Sequence, residues 1–340
     1  MEKIRLGRTN LLVSRSGFGA IPIQRLSFAE ARELLWEAYE KGINFYDTAR
    51  LYADSEEKIG YALSEVRKSI IIATKSKADQ KDQLLKDLET SLKLLKTDYV
   101  DLLQVHNPGK LPDPNDPESS YSGLLEAREK GLTRFIGITN HKLDLTVEAV
   151  ESHLYDTVQY PLSYLSTEKE LELVKVCRNN DTGLIAMKAL SGGLLTNAAS
   201  AFAFLRQFDN VVPIWGIEKK WELEEFIKLE KDPPPLNAEM QDIIANDRAQ
   251  LSGSFCRGCG YCMPCPVDIP INFAARMKFL LQRSSYRSFI NEKWKENMEK
   301  INDCQECGQC RDNCPYELDT PNLLKEMLAD YMTVYNKIKG

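Results

Sequence analysis

Eight of the nine cysteines fall in two short runs: Cys256, Cys259, Cys262 and Cys265 before Pro266, and Cys304, Cys307, Cys310 and Cys314 before Pro315. Three thiolates spaced by two residues can wrap one face of a cubane iron–sulfur cluster, while a fourth, set before a proline, points away and can ligate a second one. The spacing predicts two [4Fe–4S] clusters with crossed ligation. Cys256, Cys259, Cys262 and Cys314 would hold the first, and Cys304, Cys307, Cys310 and Cys265 the second. Structural zinc uses paired thiols separated by a spacer, and disulfide frameworks belong to short secreted chains. This chain has 340 residues, and Met1 to Arg5 does not read as a secretory leader. A reducing, cytoplasmic setting is therefore expected. Cys177, among Leu171, Leu173, Val174 and Val176, reads as a buried helical filler.

A second set of reactive side chains is spread through the first third of the chain. Asp47 follows the apolar run Ile43 to Tyr46, Tyr52 lies five residues on, Lys75 ends Ile70 to Thr74, and His106 ends Leu102 to Val105. A phenol with a pKa near 10 is a poor acid at neutral pH unless a cation stabilises its phenolate, which Lys75 could do. Asp47 would keep Lys75 charged, and His106 would orient and polarise a carbonyl oxygen. Taken singly, each residue has a structural explanation: a turn cap, a solvated strand end, a satisfied histidine. Together they form an acid–base device.

Such a device needs elements that bring distant residues together. Eight short apolar runs read as strands: Gly17 to Ala20, Ile43 to Tyr46, Ile70 to Thr74, Tyr99 to Val105, Arg134 to Ile138, Thr157 to Gln159, Leu184 to Met187 and Val211 to Ile214. Their starts lie roughly 25–35 residues apart, room for one crossover helix each. Ser27 with Glu30 is a capping-box signal for one helix, and Leu85, Leu88, Leu92 and Leu95 mark the stripe of another. With an initial hairpin around Lys3 to Arg5 and Leu11 to Val13, the pattern predicts an α/β (β/α)8 TIM barrel, whose chemistry sits at the C-terminal ends of its strands. A doubly wound sheet would need a glycine-rich turn that Gly17 to Ala20 lacks.

At these residues the chain resembles the aldo-keto reductases. The resemblance rests on Gly42 to Tyr52 with Ser55 and Glu56, on Lys75, on Asp98 to His106, on Ile136 to Asn140 and on Gln159. The first cysteine run is similar to that of the branch with a C-terminal ferredoxin-like domain. The resemblance implies Tyr52 as proton donor, Asp47 and Lys75 as its activating pair, and His106 as the carbonyl-orienting residue. It also implies NADP(H) or NAD(H) as cofactor. Thr139, Asn140 and Gln159 would hold the nicotinamide carboxamide and Lys188 would add a cofactor contact, with Met187, Lys188 and Ala189 where an aromatic residue usually stacks on the nicotinamide. Leu190, Ser191, Gly192 and Gly193 would lie over the pyrophosphate. Lys219 and Lys220 would face an adenosine 2′-phosphate and Glu225 the adenine, with Glu218 opposing the phosphate and Phe226 replacing the usual Asn.

The expected organisation is a barrel over 1–231, a linker and connecting segment over 232–252 opened by Pro233, Pro234 and Pro235, a mainly α-helical two-cluster ferredoxin-like domain over 253–320, and a C-terminal helix over 321–340 that packs on the barrel or the cluster domain. A net charge of −6 gives no case for nucleic acid or anionic membranes, and no stretch reaches the length of a membrane span. The expected function is reduction of a small-molecule carbonyl, or oxidation of an alcohol. The alternative is an electron-transfer or redox-sensing protein whose barrel binds nicotinamide or flavin without turnover. No residue pattern marks a flavin site, although a barrel phosphate loop could accept FMN. Two one-electron centres beside hydride chemistry leave room for a redox partner protein.

Overall fold

The computed structural model describes residues 1–251, 255–283 and 286–339. Residues 253–254 and 284–285 of the expected cluster domain thus lie outside the described residues, as do Ser252 of the connecting segment and Gly340 of the expected C-terminal helix. The chain divides into two compact units, residues 1–189 with 198–242, and residues 190–197 with 243–340.

The first unit opens with an antiparallel hairpin, β1 (Lys3–Arg5) and β2 (Leu12–Ser14), paired Ile4 to Val13. Eight parallel strands follow: β3 (Gly17–Gly19), β4 (Phe45–Asp47), β5 (Ile71–Ser76), β6 (Val100–His106), β7 (Thr133–Thr139), β8 (Thr157–Pro161), β9 (Gly183–Met187) and β10 (Val211–Gly216). They close into a barrel in sequence order, with β10 pairing back to β3. The connecting helices are α1 (Phe28–Glu40), α2 (Ser55–Leu63), α3 (Lys81–Leu95), α4 (Ser120–Glu129), α5 (Leu143–Glu151), α6 (Glu168–Asn179), α7 (Ala198–Leu205) and α8 (Lys220–Lys231). Ile4, Leu6, Leu11 and Val13 of the hairpin segment pack with Phe45, Ile71, Leu102, Ile185 and Val212 of the strands. The hairpin thus closes the apolar end and leaves the opposite rim for polar chemistry.

Local signals explain the helices. Ser27 caps α1 reciprocally with Glu30, whose carboxylate accepts from the Ser27 amide at 2.8 Å. In α3 the buried face is Leu84, Leu88, Ser91 and Leu95, one step away from the expected stripe at Leu85 and Leu92, which are half-buried. Cys177 is fully buried in α6, and burial pushes its thiol up to about 12. The polar stretch after the prolines, within the expected connecting segment, forms α9 (Ala238–Gln250), within which the division between the units falls.

The second unit is helical: α10 (Ile271–Ala274), α11 (Met277–Arg283), α12 (Glu292–Glu299), α13 (Gln309–Asp312) and α14 (Thr320–Lys339). The long α14 packs against the other four through Leu324, Met327, Tyr331 and Tyr335, so the tail belongs to the cysteine-bearing unit. Tyr331 also donates to the Phe289 carbonyl at 2.8 Å.

Candidate active site and cluster sites

Parallel register brings the polar strand ends to one rim. Asp47 closes β4, Lys75 is the penultimate residue of β5 and His106 closes β6. Lys75 stands opposite Gln104, and Thr139 stands opposite both His106 and Gln159. Lys75 Nζ donates to Asp47 Oδ1 and to the Thr48 carbonyl, each at 2.6 Å. The same nitrogen lies 5.3 Å from the ring centroid of Tyr52, which projects from the loop between β4 and α2. That ring meets His106 edge to face, with centroids 5.8 Å apart. The four residues expected to act together are therefore brought together. Tyr52 is half-buried and the other three are buried.

Electrostatics assign their charge states. Burial pulls Lys75 below the ordinary lysine value, and Asp47 opposes that pull. Burial likewise raises Asp47, with Lys75 the main opposing charge. A direct 2.6 Å contact keeps the two as an ion pair, because each removes the uncompensated charge of the other. Burial, with repulsion from Lys75 and Lys77, brings His106 down to about 3. Its imidazole is neutral at pH 7, with one N–H to donate.

Gln104 escapes a reading by strand ends because it lies inside β6. Its Nε2 donates to Gln159 Oε1 at 3.2 Å, and Gln159 Nε2 reaches Asp47 Oδ1 at 3.5 Å. The sequence signal was a polar residue amid Leu102, Leu103 and Val105. Asp47 Oδ2 and Gln104 Oε1 remain buried without a hydrogen-bond partner, so the interior polar layer retains acceptor capacity for a ligand.

The other expected nucleotide contacts are distributed unevenly. Thr139 Oγ1 accepts from the Asn107 amide at 3.1 Å. The Asn140 carboxamide is committed to its own loop, donating to the Pro108 carbonyl at 2.9 Å and accepting from the Lys142 amide at 2.8 Å. Lys188 has a left-handed backbone, φ 58°. Leu190, Ser191, Gly192 and Gly193 belong to the second unit. At the start of α8, Lys219 and Lys220 are exposed and pair with Glu218 and Glu37, each at 3.2 Å. Glu222 accepts from the amides of Glu218 and Lys219 at 2.7 and 2.8 Å, Arg25 pairs with Glu218, and Glu225 is exposed. Phe226 stacks on Trp215 with centroids 4.6 Å apart, so a core contact occupies the position of the usual Asn.

In the second unit the thiols line two cavities. One, with about 340 Å³ of empty space, is lined by Cys256, Cys259, Cys262 and Cys314, and also by Cys310. The other, about 410 Å³, is lined by Cys304, Cys307, Cys310 and Cys265, and also by Cys262. Each cavity receives the proline-preceding cysteine of the opposite run. A set of four thiols around one cavity is the donor chemistry that a cubane cluster takes.

The sequence pattern of the aldo/keto reductase family matches residues 16–225, and that of a 4Fe–4S dicluster domain matches residues 255–319. The chain belongs to the aldo/keto reductase family. As a member of it, the chain is an oxidoreductase, and it carries a dicluster domain beside the reductase barrel. It is 31% identical over 215 residues to L-galactose dehydrogenase of Arabidopsis thaliana, covering 58% of this chain and 67% of that protein. It is 38% identical over 150 residues to methylglyoxal reductase DkgB of Salmonella typhimurium, covering 41% of this chain and 54% of that one. Matches to the curated relatives thus span between about half and two thirds of their length. Aldo-keto reductase AKR11C1 of Bacillus halodurans, in its holo form, shares the fold at a TM-score of 0.64 and 24% identity, covering 73% of this chain and 96% of that structure.

Proposed function

We propose that this aldo/keto reductase reduces small carbonyl compounds, or oxidises the corresponding alcohols, with NADP(H) or NAD(H). The observation that carries the reading is the convergence of Tyr52, His106 and the buried Lys75–Asp47 pair at one barrel rim. A bound nicotinamide would supply or accept the hydride. Neutral His106 donates an N–H to the substrate oxygen and fixes its orientation. Tyr52 delivers the proton to that oxygen, and the Lys75 ammonium stabilises the phenolate left behind. Asp47 holds Lys75 in place, and Gln159 and Gln104 brace Asp47. Thr139, Asn140 and Gln159 orient the carboxamide, with Asn140 exchanging its loop bonds for that contact.

The relatives' names suggest the assay: methylglyoxal and L-galactose, in the reducing and oxidising directions. Tyr52→Phe should lower kcat by a factor of about 10² to 10⁴, the usual contribution of a general acid. Unchanged carbonyl reduction by that variant would sink the proposal; nucleotide binding by the wild type with no turnover of either compound would favour the non-enzymatic reading.

We also propose crossed ligation of two [4Fe–4S] clusters by the cysteine sets that line the two cavities. The holoprotein should hold about eight irons. Cys314→Ala should perturb the electron paramagnetic resonance signal of the cluster at Cys256, Cys259 and Cys262. A perturbation confined to the other cluster would reverse the assignment.

A further inference from the structure

The segment Leu190–Asn197 follows β9 and precedes α7, yet it forms a compact body with the cysteine-bearing residues. Arg276, between α10 and α11, ties it there: its Nη1 donates to the Gly192 carbonyl at 2.7 Å. Arg276 is only 7% exposed; burial pulls its guanidinium below the ordinary value, and Cys256 and Cys259, when ionised, oppose that pull. Its Nε is buried without a hydrogen-bond partner.

Two glycines make room for this guanidinium. A Cβ on Gly192 would sit 2.9 Å from Arg276 Nη1, and one on Gly258, inside the first cysteine run, would sit 2.7 Å from Arg276 Cζ. Both glycines have left-handed backbones, φ 68° and 63°. The Gly258 amide in turn donates to Cys256 Sγ at 3.4 Å. A planar fork can serve two anionic or carbonyl partners at once, which a single ammonium does poorly. Arg276 therefore stands between Gly258 of the first cysteine run and the backbone of a second glycine turn.

We propose that Arg276 is a positioning residue through which the charge of the cluster at Cys256, Cys259, Cys262 and Cys314 sets the affinity of the Gly192–Gly193 turn for a nucleotide pyrophosphate. The inference rests on the nicotinamide reading above, in which that turn faces the pyrophosphate. One-electron reduction adds a negative charge to the cluster, which draws the guanidinium towards sulfur and repels an incoming dianion. Nucleotide then binds the oxidised protein more tightly. By linkage the same factor must appear in the cluster, whose potential falls when nucleotide binds. A tenfold affinity ratio corresponds to about 59 mV for a one-electron couple.

The test uses anaerobically reconstituted holoprotein and ADP-ribose, which carries the pyrophosphate but no reducible ring. Calorimetric titration of wild type, oxidised and after reduction with titanium(III) citrate, should give an affinity ratio of about five- to tenfold in favour of the oxidised form. A redox titration with saturating ADP-ribose should show the matching fall in potential. Arg276→Gln, at wild-type iron content, should bind ADP-ribose more weakly, with a ratio near one and no shift in potential. Should that variant fail to load iron, Arg276→Lys decides: a cation without the fork should lower the ratio, and a wild-type ratio in Arg276→Lys overturns the proposal. A ratio of one in wild type also overturns it while leaving the nicotinamide reading intact. If oxidised wild type binds no ADP-ribose, the nucleotide reading falls and this inference with it.

Discussion

His106 can donate a hydrogen bond to a carbonyl oxygen without carrying charge, because burial brings its pKa down to about 3. That state depends on folding. In the unfolded chain an imidazole takes up a proton below about pH 6.5, whereas the folded residue stays neutral. The unfolded state therefore binds more protons, and stability present above pH 6.5 is lost as pH falls towards 3. Between pH 6.5 and 5 the cost is roughly 2 kcal/mol for one histidine. Urea unfolding of the barrel should show that loss in wild type and a flatter pH profile in His106→Asn. Equal slopes would mean that His106 is protonated in the folded protein. Lys75 and Asp47 offset part of their own burial penalty by sharing a 2.6 Å contact.

At the scale of elements, the proposed nicotinamide reading makes the start of α8 the place where NADPH and NADH would be told apart. Its first amides are capped by Glu222, and its two lysines are paired with carboxylates. A 2′-phosphate there meets cations whose charge is largely spent, so preference for NADPH should be modest. Glu218→Gln removes one opposing charge and frees Arg25 and Lys219, which should raise the kcat/KM ratio of NADPH over NADH roughly three- to tenfold. A ratio that does not move would take this helix start out of the phosphate site. Arg25 was illegible in the sequence because it lies 193 residues from Glu218 and meets it only through closure of the barrel. The strands were legible, since runs such as Ile70 to Thr74 are buried on both faces and read as continuous apolar segments. The meeting of Asp47, Tyr52, Lys75 and His106 was legible because a barrel places strand ends on one rim. Gln104 and Arg276 were not, since only packing shows which partner a buried polar residue will find. Helix α9 was missed because its polar surface buries little beyond Ile244.

At the scale of the whole molecule, the two units draw their stability from different sources. The first has a closed barrel with a hairpin packed on its interior. The second contains α10 and α13, of four residues each, and α11, of seven. Helices that short do not persist in water on their own, so their geometry depends on packing against α14 and, under the proposed cluster ligation, on the thiols between them. Anaerobic iron chelation should therefore act on one unit. Hydrogen exchange should show amides of α10, α11 and α13 losing protection on chelation, while those of β4 to β8 keep theirs. Rapid exchange throughout the barrel strands after chelation would mean that iron sustains the reductase fold as well. Protection retained in the short helices would mean that the apolar contacts of Leu324, Met327 and Tyr331 suffice without the metal.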